Sequence, residues 1–444
     1  MADERPWAGR RLHLIGLGGA GMSGYARVAT QLGAAVSGSD RDDSPALAGL
    51  RDLGVDVHVG HDAANVPAGD DVEVVHSTAI APDNPERAEA RRRGLPDRPR
   101  AELLAQLSAL KRTIGVAGAH GKTTTTSMAA HVLLRCGLQP AYLIGGALTT
   151  TGLNADWGAG EWLVVEADES DRSMLSLDVD VAVVTNVELD HHATFGSLAE
   201  VRDAFRVFLA APPAAVLWDR PDVVELRGGR PFTAFDVPDP KLDGDGSSFA
   251  WRDQQVRLRV PGAHNARNAA AALEACLLAG AEPAQAAAAL ADFAGAGRRF
   301  QELGTTVEGA RVVDDYAHHP TEVAATIDAA RTQAPRRVVA VFQPHLYSRT
   351  QRLAREFGIA LARADVVAVL DVYPARERAE DFPGVSGLLV AEAAADAAGG
   401  RPVYWLPTFD AAERALHAVL REGDLCLVLG AGDVDALGRR LASR

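Results

Sequence analysis

The run Gly118-Ala119-His120-Gly121-Lys122-Thr123-Thr124-Thr125-Thr126 has the residue types and spacing to hold a chain of phosphates. It follows an apolar stretch, Thr113 to Ala117, that reads as a strand, and it leads into Ser127-Met128-Ala129-Ala130, which reads as a helix. A glycine-rich turn between strand and helix aims backbone N–H groups, and the positive end of the helix, at an anion. Lys122 would neutralise the outer phosphates, and the Thr123 hydroxyl would bind the accompanying magnesium ion. The chain has only three lysines, Lys111, Lys122 and Lys241, so Lys122 does not come from a lysine-rich background. Val116 stands where the usual phosphate-loop formula places its first glycine, which makes the motif a variant. Gly118, Ala119, His120, Gly121, Lys122, Thr123 and Thr124 are therefore candidate nucleotide ligands. An ordinary glycine-rich turn is the alternative, and it gives no reason for a lysine followed by four threonines.

A second constellation lies near the start. Arg11 to Ile15 reads as a strand and is followed by Gly16-Leu17-Gly18-Gly19-Ala20-Gly21, a full G-x-G-x-x-G, with a helix from Met22. Asp40 closes the next strand about 20 residues on, the position of an acid that meets a ribose. The pattern suits a phosphate-bearing nucleotide, NAD among the options; tight helix–strand packing is the alternative. A further strand, Val72 to Val75, ends in His76-Ser77-Thr78-Ala79, small hydroxyl residues where an open α/β sheet binds ligands. Gly18, Gly19, Ala20, Gly21, Met22, Ser23, Asp40, Ser77, Thr78 and Ala79 form this second candidate set.

Other strand ends carry acids, imidazoles and amides. Trp162 to Val165 ends at Glu166, and an apolar strand delivering a carboxylate beside a phosphate loop is a common magnesium ligand. Val181 to Thr185 leads to Asn186, Glu188, Asp190 and His191, either a second metal position or a solvated acidic loop. Asn265 and Asn268 share one face of an Ala-rich helix; they suit the edge of a purine, or Asn265 caps the helix. After Arg298, three strands deliver Asp314-Asp315-Tyr316-Ala317-His318-His319-Pro320, Gln343-Pro344-His345-Leu346-Tyr347-Ser348-Arg349, and Asp371-Val372-Tyr373 to what should be one sheet edge, a binding rim.

Alternating strands and helices must position all of this, so the fold class is α/β. Length predicts about three domains, and the motifs divide them as 1–107, 108–296 and 297–444. Hydrophobic and charged fractions of 47% and 23% are those of a globular protein. The formal charge of −14, with no Lys/Arg-rich block, argues against a nucleic-acid partner. No stretch approaches the ~20 apolar residues of a membrane span, and the first residues lack a secretory apolar segment. Three distant cysteines indicate neither a disulfide framework nor a zinc knuckle. A cytoplasmic enzyme is the expectation; the sequence is silent on oligomeric state.

Together, Gly16–Ser23, Ala119–Thr125, Glu166-Ala167-Asp168-Glu169-Ser170-Asp171 and Asp314–Pro320 resemble, in this order and over nearly the whole chain, the Mur ligases of peptidoglycan synthesis. The resemblance implies a Rossmann-like N-terminal domain holding a UDP-sugar, a P-loop ATPase-like central domain, and a Rossmann-like C-terminal domain that closes over an amino acid. It implies ATP-dependent amide formation through an acyl phosphate. It also makes Thr123, Glu166 and His191 ligands of two magnesium sites, and brings Asn265, Asn268, Arg298 and Asp314 to ATP. Lys122, Arg298, Asp314 and His318 would be catalytic. His191, His318, His345 and Arg349 would face the muramoyl carboxylate and the incoming amine, with Arg349 on the amino-acid carboxylate. Relatives that add later residues carry a modified lysine near the metals; residues 195–212 contain no lysine. That favours the branch joining L-alanine to UDP-N-acetylmuramate. One departure is Leu346, where some relatives have an arginine. The nearest rival attaches a whole tripeptide to the same UDP-sugar; a nicotinamide-dependent oxidoreductase and a non-catalytic nucleotide-binding scaffold leave several motifs unexplained.

Overall fold

The structure, a computed structural model, describes residues 5–191, 194–244 and 246–442. Among them the strands form four sheets. The first contains β1 (Arg11–Ile15), β2 (Ala35–Asp40), β3 (Asp56–Val59), β4 (Val72–His76) and β5 (Asp97–Pro99), in the order β3-β2-β1-β4-β5. Every pairing in it is parallel, so all five strands release their chains at one edge. The second contains β6 (Arg112–Ala117), β7 (Ala141–Leu148), β8 (Leu153–Asp156), β9 (Trp162–Glu166), β10 (Val181–Val184), β11 (Ala214–Trp218) and β12 (Thr233–Phe235). Its order is β12-β11-β10-β6-β9-β7-β8, with only β8 antiparallel to its neighbour. β6 lies between β10 and β9, where the strand order reverses, and that is the point at which an open α/β sheet opens a ligand crevice.

A small antiparallel sheet follows, of β13 (Lys241–Asp243), β14 (Gly246–Trp251) and β15 (Gln254–Leu258). The last sheet contains β16 (Gln301–Thr305), β17 (Arg311–Asp315), β18 (Val338–Phe342), β19 (Val366–Val369), β20 (Val403–Trp405) and β21 (Leu425–Leu429). Its order is β16-β17-β21-β18-β19-β20, parallel except for the edge strand β16. The chain packs as two compact units. The first holds the first two sheets, in Met1–Leu189, Thr194–Asp236 and Ala271–Ala289. The second holds the other two, in Val237–Ala270 and Leu290–Arg444, together with Asp190–Ala193.

The central strands read as unbroken apolar runs because helices cover both faces of a parallel sheet. β10, β18, β19 and β21 are buried throughout. In the first unit one core joins Leu12 and Leu14 to Met22, Tyr25, Ala26 and Val28 of the helix Ala20–Gln31. The same core continues through Leu103, Leu104 and Leu107 to Leu143, Leu163 and Val165 of the second sheet. Among the described residues, the large sheet of the second unit carries a core on each face.

Candidate active site

In the first unit the turn after β1 is held open by hydrogen bonds from its own sheet. Gly16 has φ +88°, and a Cβ there would meet the Ser77 Cβ at 3.1 Å. Both Gly16 and Leu17 donate their N–H to the Ser39 carbonyl at 2.9 Å. Gly18 donates its N–H to Asp40 Oδ2 at 2.7 Å, so one oxygen of the acid expected to meet a ribose supports the turn itself. The helix Ala20–Gln31 begins at Gly19 without a side-chain cap, and Ser77, Thr78 and Ala79 leave β4 beside this turn, where Ser77 donates its N–H to Ile15. Met22 and Ser23 differ from their neighbours: both are buried, and the Met22 side chain belongs to the apolar core. Met22 can therefore offer a ligand its backbone only. Asn154, from β8, donates to the Ala20 carbonyl at 2.6 Å and to Ser23 Oγ at 3.1 Å. Nothing in the sequence around Asn154 marks it, because its partners lie more than a hundred residues away.

The phosphate-loop variant takes the expected strand–turn–helix form, with β6 feeding Gly118 and the helix Lys122–Arg135 starting behind Gly121. Gly118 has φ +142°, and a Cβ on it would lie 2.0 Å from Thr185 Oγ1. That close approach is why glycine occupies the position. The loop is clamped from β10: Thr185 Oγ1 donates to the His120 carbonyl at 2.6 Å, Asn186 Nδ2 donates to the same oxygen at 2.8 Å, and the His120 N–H returns to Asn186 Oδ1 at 3.0 Å. The His120 ring lies 3.3 Å from Glu188 Oε2. Lys122 Nζ donates to the Gly118 carbonyl at 2.7 Å and to both Glu169 oxygens at 2.9 Å. Burial alone would discourage its charge; Glu169 and Asp168 outweigh that and hold its pKa above the usual lysine value. Thr123 and Thr124 lie at the head of the helix, while Thr125 and Thr126 are fully buried along it. Glu166 ends β9 and accepts the Gly145 N–H on Oε1 at 2.6 Å.

In the second unit Arg298 and Asp314 bind each other. Arg298 Nε donates to Asp314 Oδ2 at 3.1 Å, while Nη1 and Nη2 donate to the carbonyls of Gly432 and Gly430 at 2.9 and 2.8 Å. The turn after β21 is thus the anchor of Arg298, and Arg298 with Arg299 lies over the Tyr316 ring. Burial raises the Asp314 pKa against the pull of Arg298, and Oδ1 is buried without a partner among the described residues. His318 Nδ1 faces two acceptors, the Tyr316 carbonyl at 3.0 Å and Glu322 Oε2 at 3.2 Å. Nδ1 therefore carries the proton, and Nε2 is the ring's accepting nitrogen. Burial lowers its pKa to about 3, with Arg349 adding to the effect. His345 stacks on Tyr373, with ring centroids 5.8 Å apart, and meets His318 edge-on at 6.1 Å. Burial and Arg349 bring its pKa to about 4.

Arg349, 5% exposed, donates from Nε and Nη2 to Asp190 Oδ1 at 3.2 and 2.8 Å, and its Nη1 lies 3.5 Å from His345 Nδ1. Asp190 is held well below the carboxylate range: burial opposes ionisation, and Arg349 with the neighbouring imidazoles overcomes it. The next residue, His191, has φ +54°. Leu346 also has a positive φ, +71°, a conformation that costs a branched side chain on the order of 1–3 kcal/mol. Asn265 donates to the Pro261 carbonyl at 2.7 Å, and Asn268 donates to Asn265 at 3.4 Å, so these amides tie down the start of their own helix. His318, His345 and Arg349 are thus brought together, and Arg298 with Asp314 makes a second cluster.

Comparison with known proteins agrees over almost the whole chain. Residues 11–112 match the model of the Mur ligase family, catalytic domain; residues 116–276 match the Mur ligase middle domain; residues 298–432 match the Mur ligase, glutamate ligase domain. The UDP-N-acetylmuramate–L-alanine ligase of Thermobifida fusca is 46% identical over 97% of this chain and 96% of its own length. That of Rubrobacter xylanophilus is 45% identical over 98% of this chain and 100% of its own. Among solved structures, the UDP-N-acetylmuramate-alanine ligase of Thermotoga maritima superposes with a TM-score of 0.83 at 28% identity, covering 98% of both chains. A murein peptide ligase from Psychrobacter arcticus shares the fold, with a TM-score of 0.74 at 24% identity. With its three α/β domains in this order, the chain belongs to the Mur ligase family.

Proposed function

We propose that this enzyme joins L-alanine to the lactyl carboxylate of UDP-N-acetylmuramate, converting ATP to ADP and phosphate, in the cytoplasm. The observation that carries the phosphoryl-transfer half is Lys122 at the head of a helix behind Gly118 and Gly121, its charge sustained by buried Glu169 and half-buried Asp168. The choice of substrate is supported by near-full-length relatives named for this reaction and by the lysine-free segment 195–212. Among the described residues no helix is long and apolar enough to cross a membrane.

A carboxylate does not acylate an amine directly, because oxide is too poor a leaving group. Transfer of the γ-phosphoryl group to the carboxylate makes an acyl phosphate; the alanine nitrogen attacks its carbonyl carbon, and the C–O bond to phosphate breaks as the amide forms. Such transfer depends on positioning and on neutralising charge. Gly118 to Thr124 cradle the phosphates, and Lys122 balances them. Gly18 to Ser23, with Asp40 and Ser77 to Ala79, hold the UDP-sugar. Arg298 and Asp314 form the ATP-side contact of the C-terminal domain, and Asn265 and Asn268 shape the adenine side. Thr123 and Glu166 offer the hydroxyl and carboxylate oxygens that Mg²⁺ favours; His191 adds a nitrogen donor. Magnesium held there, at two sites, would shield the triphosphate charge. Arg349 meets the alanine carboxylate through the donors Asp190 does not take. His318, neutral and with Nε2 accepting, orients the amine and receives its proton; a pKa of about 3 makes it a weak base until the substrate's negative charge raises it.

The test is phosphate release from ATP with magnesium and UDP-N-acetylmuramate, amino acid by amino acid. Release with L-alanine and little with D-glutamate or a tripeptide is expected; preference for the tripeptide would transfer the chain to the peptide-recycling branch. Oxygen-18 placed in the muramic carboxyl should appear in the phosphate.

A further inference from the structure

The segment 371–386, between β19 and the helix Gly387–Ala397, has no part in the reading above, yet it is tied to the head of the helix that carries Arg349. That helix, Tyr347–Leu361, starts poorly by its own means. Its N-cap is Leu346, which has φ +71° and makes no side-chain cap hydrogen bond, so the N–H groups of the first turn need acceptors from elsewhere. Arg349, the third residue of the helix, puts a cation near its positive end, where a cation is disfavoured. Segment 371–386 supplies what is missing. His345 and Tyr373 form a parallel backbone bridge: Leu346 donates its N–H to the Tyr373 carbonyl at 3.0 Å, and Tyr373 donates its own to the Pro344 carbonyl at 2.8 Å. A turn follows, closed by the Glu377 N–H on the Pro374 carbonyl at 2.9 Å, with Ala375 in the left-handed region at φ +51°. Glu377 then reaches the first helical turn. Its Oε2 accepts the Ser348 N–H at 2.9 Å, and its Oε1 accepts the Ser348 hydroxyl. Phe382 stacks on Tyr347, with ring centroids 6.0 Å apart. The two ends of the segment are drawn together by Asp371, whose Oδ1 accepts the N–H groups of Val372 and Gly387 at 2.9 Å.

We infer that Glu377 is a positioning residue for amino-acid capture: it supplies the cap that Leu346 cannot, fixes the first turn of the helix, and so holds the Arg349 guanidinium where it meets the carboxylate of the incoming amino acid. It touches no reacting atom. The inference rests on Arg349 meeting that carboxylate, and it deepens that reading by naming what keeps the arginine still. Asp190 accepts from Nε and Nη2 at the tip of the side chain; Glu377 holds the backbone from which the side chain grows. Without the second attachment the helix head can shift, and a displacement of about 1 Å at a binding group is enough to cost on the order of 10²-fold.

Steady-state kinetics of the full chain with L-alanine, ATP and UDP-N-acetylmuramate test this in wild type, Glu377→Ala, Glu377→Gln, Ser348→Ala and Arg349→Lys. Glu377→Ala should raise the KM for L-alanine on the order of 10-fold or more, while the KM values for ATP and UDP-N-acetylmuramate stay at the wild-type level. Glu377→Gln keeps an acceptor for one of the two Ser348 donors and should recover part of the loss. Ser348→Ala keeps the N–H and its carboxylate partner, and should lose less than Glu377→Ala. Adding Glu377→Ala to Arg349→Lys should raise the L-alanine KM no further, because Glu377 acts through that arginine. A uniform rise in all three KM values with a lowered Tm would reduce Glu377 to a structural role. An unchanged L-alanine KM would remove it from amino-acid capture, and additive effects in the double variant would mean that it acts by another route; each of these overturns the inference. If Arg349→Lys itself leaves the L-alanine KM unchanged, the carboxylate assignment of Arg349 fails, and this inference falls with it.

Discussion

Lys122 shows how a single side chain's chemistry depends on what surrounds it. Burial works against the charge of this ammonium, and two carboxylates, Glu169 bonded and Asp168 nearby, outweigh it. All three donors of Nζ are engaged within the protein, by Gly118 and the two Glu169 oxygens. On the proposed reading, a phosphate oxygen takes the place of one of these acceptors. Replacing Lys122 with alanine removes the charge meant for the triphosphate and leaves the UDP-sugar turn untouched. Turnover should fall by on the order of 10³-fold or more, with affinity for the nucleotide sugar unchanged in direct titration. Equal loss of both would show that the two ligands are assigned to the wrong domains.

At the level of elements, strand–turn–helix junctions do the positioning, and each depends on a backbone that only a few residues tolerate. Gly118 combines φ +142° with Thr185 Oγ1 only 2.0 Å from where a Cβ would stand. Gly118→Ala must therefore push the loop away from β10 and break the bonds that Thr185 and Asn186 make to His120. ATP affinity should drop at least tenfold and Tm by several degrees, read by nucleotide titration and by calorimetry. Normal ATP binding in this variant would mean the loop's conformation is not needed for the phosphates. The junction after β17 works differently, since its geometry is set by Asp315, which accepts the N–H groups of Phe300 and Ala317 at 2.8 Å.

Across the whole molecule, the imidazoles of the second unit make stability depend on pH. Burial lowers His264 and His345 to about 4 and His318 to about 3, helped by nearby arginines. In the unfolded chain these histidines titrate near their ordinary value. As pH falls below about 6.5, the unfolded state therefore takes up protons that the folded state refuses, and stability declines until the folded values are reached. Asp315, raised by burial to about 6, has the opposite sign and offsets part of this. Three histidines against one aspartate leave a net loss, on the order of 2 kcal/mol for each histidine by pH 5. Tm should fall by several degrees between pH 7 and pH 5, and His264→Asn should flatten that slope. A Tm that is level over this range would show that these rings titrate normally in the fold.

Local order along the chain was enough to locate the phosphate loop, the G-x-G-x-x-G turn and the acidic strand ends. Apolar strand runs, glycine-rich turns and helix starts are contiguous along the chain, and so they leave a readable pattern. The class of fold and the succession of motifs followed from that pattern and from the resemblance it carries. Folding alone revealed how the side chains are spent: Met22 in the core, Asp40 against Gly18, Arg298 on Asp314 and the Gly430–Gly432 turn, Arg349 on Asp190, and Glu377 on Ser348. These partners are separated by up to 159 positions, as in Asp190 and Arg349. Ion pairs and hydrogen bonds have no periodicity, so only the folded chain shows which polar group meets which.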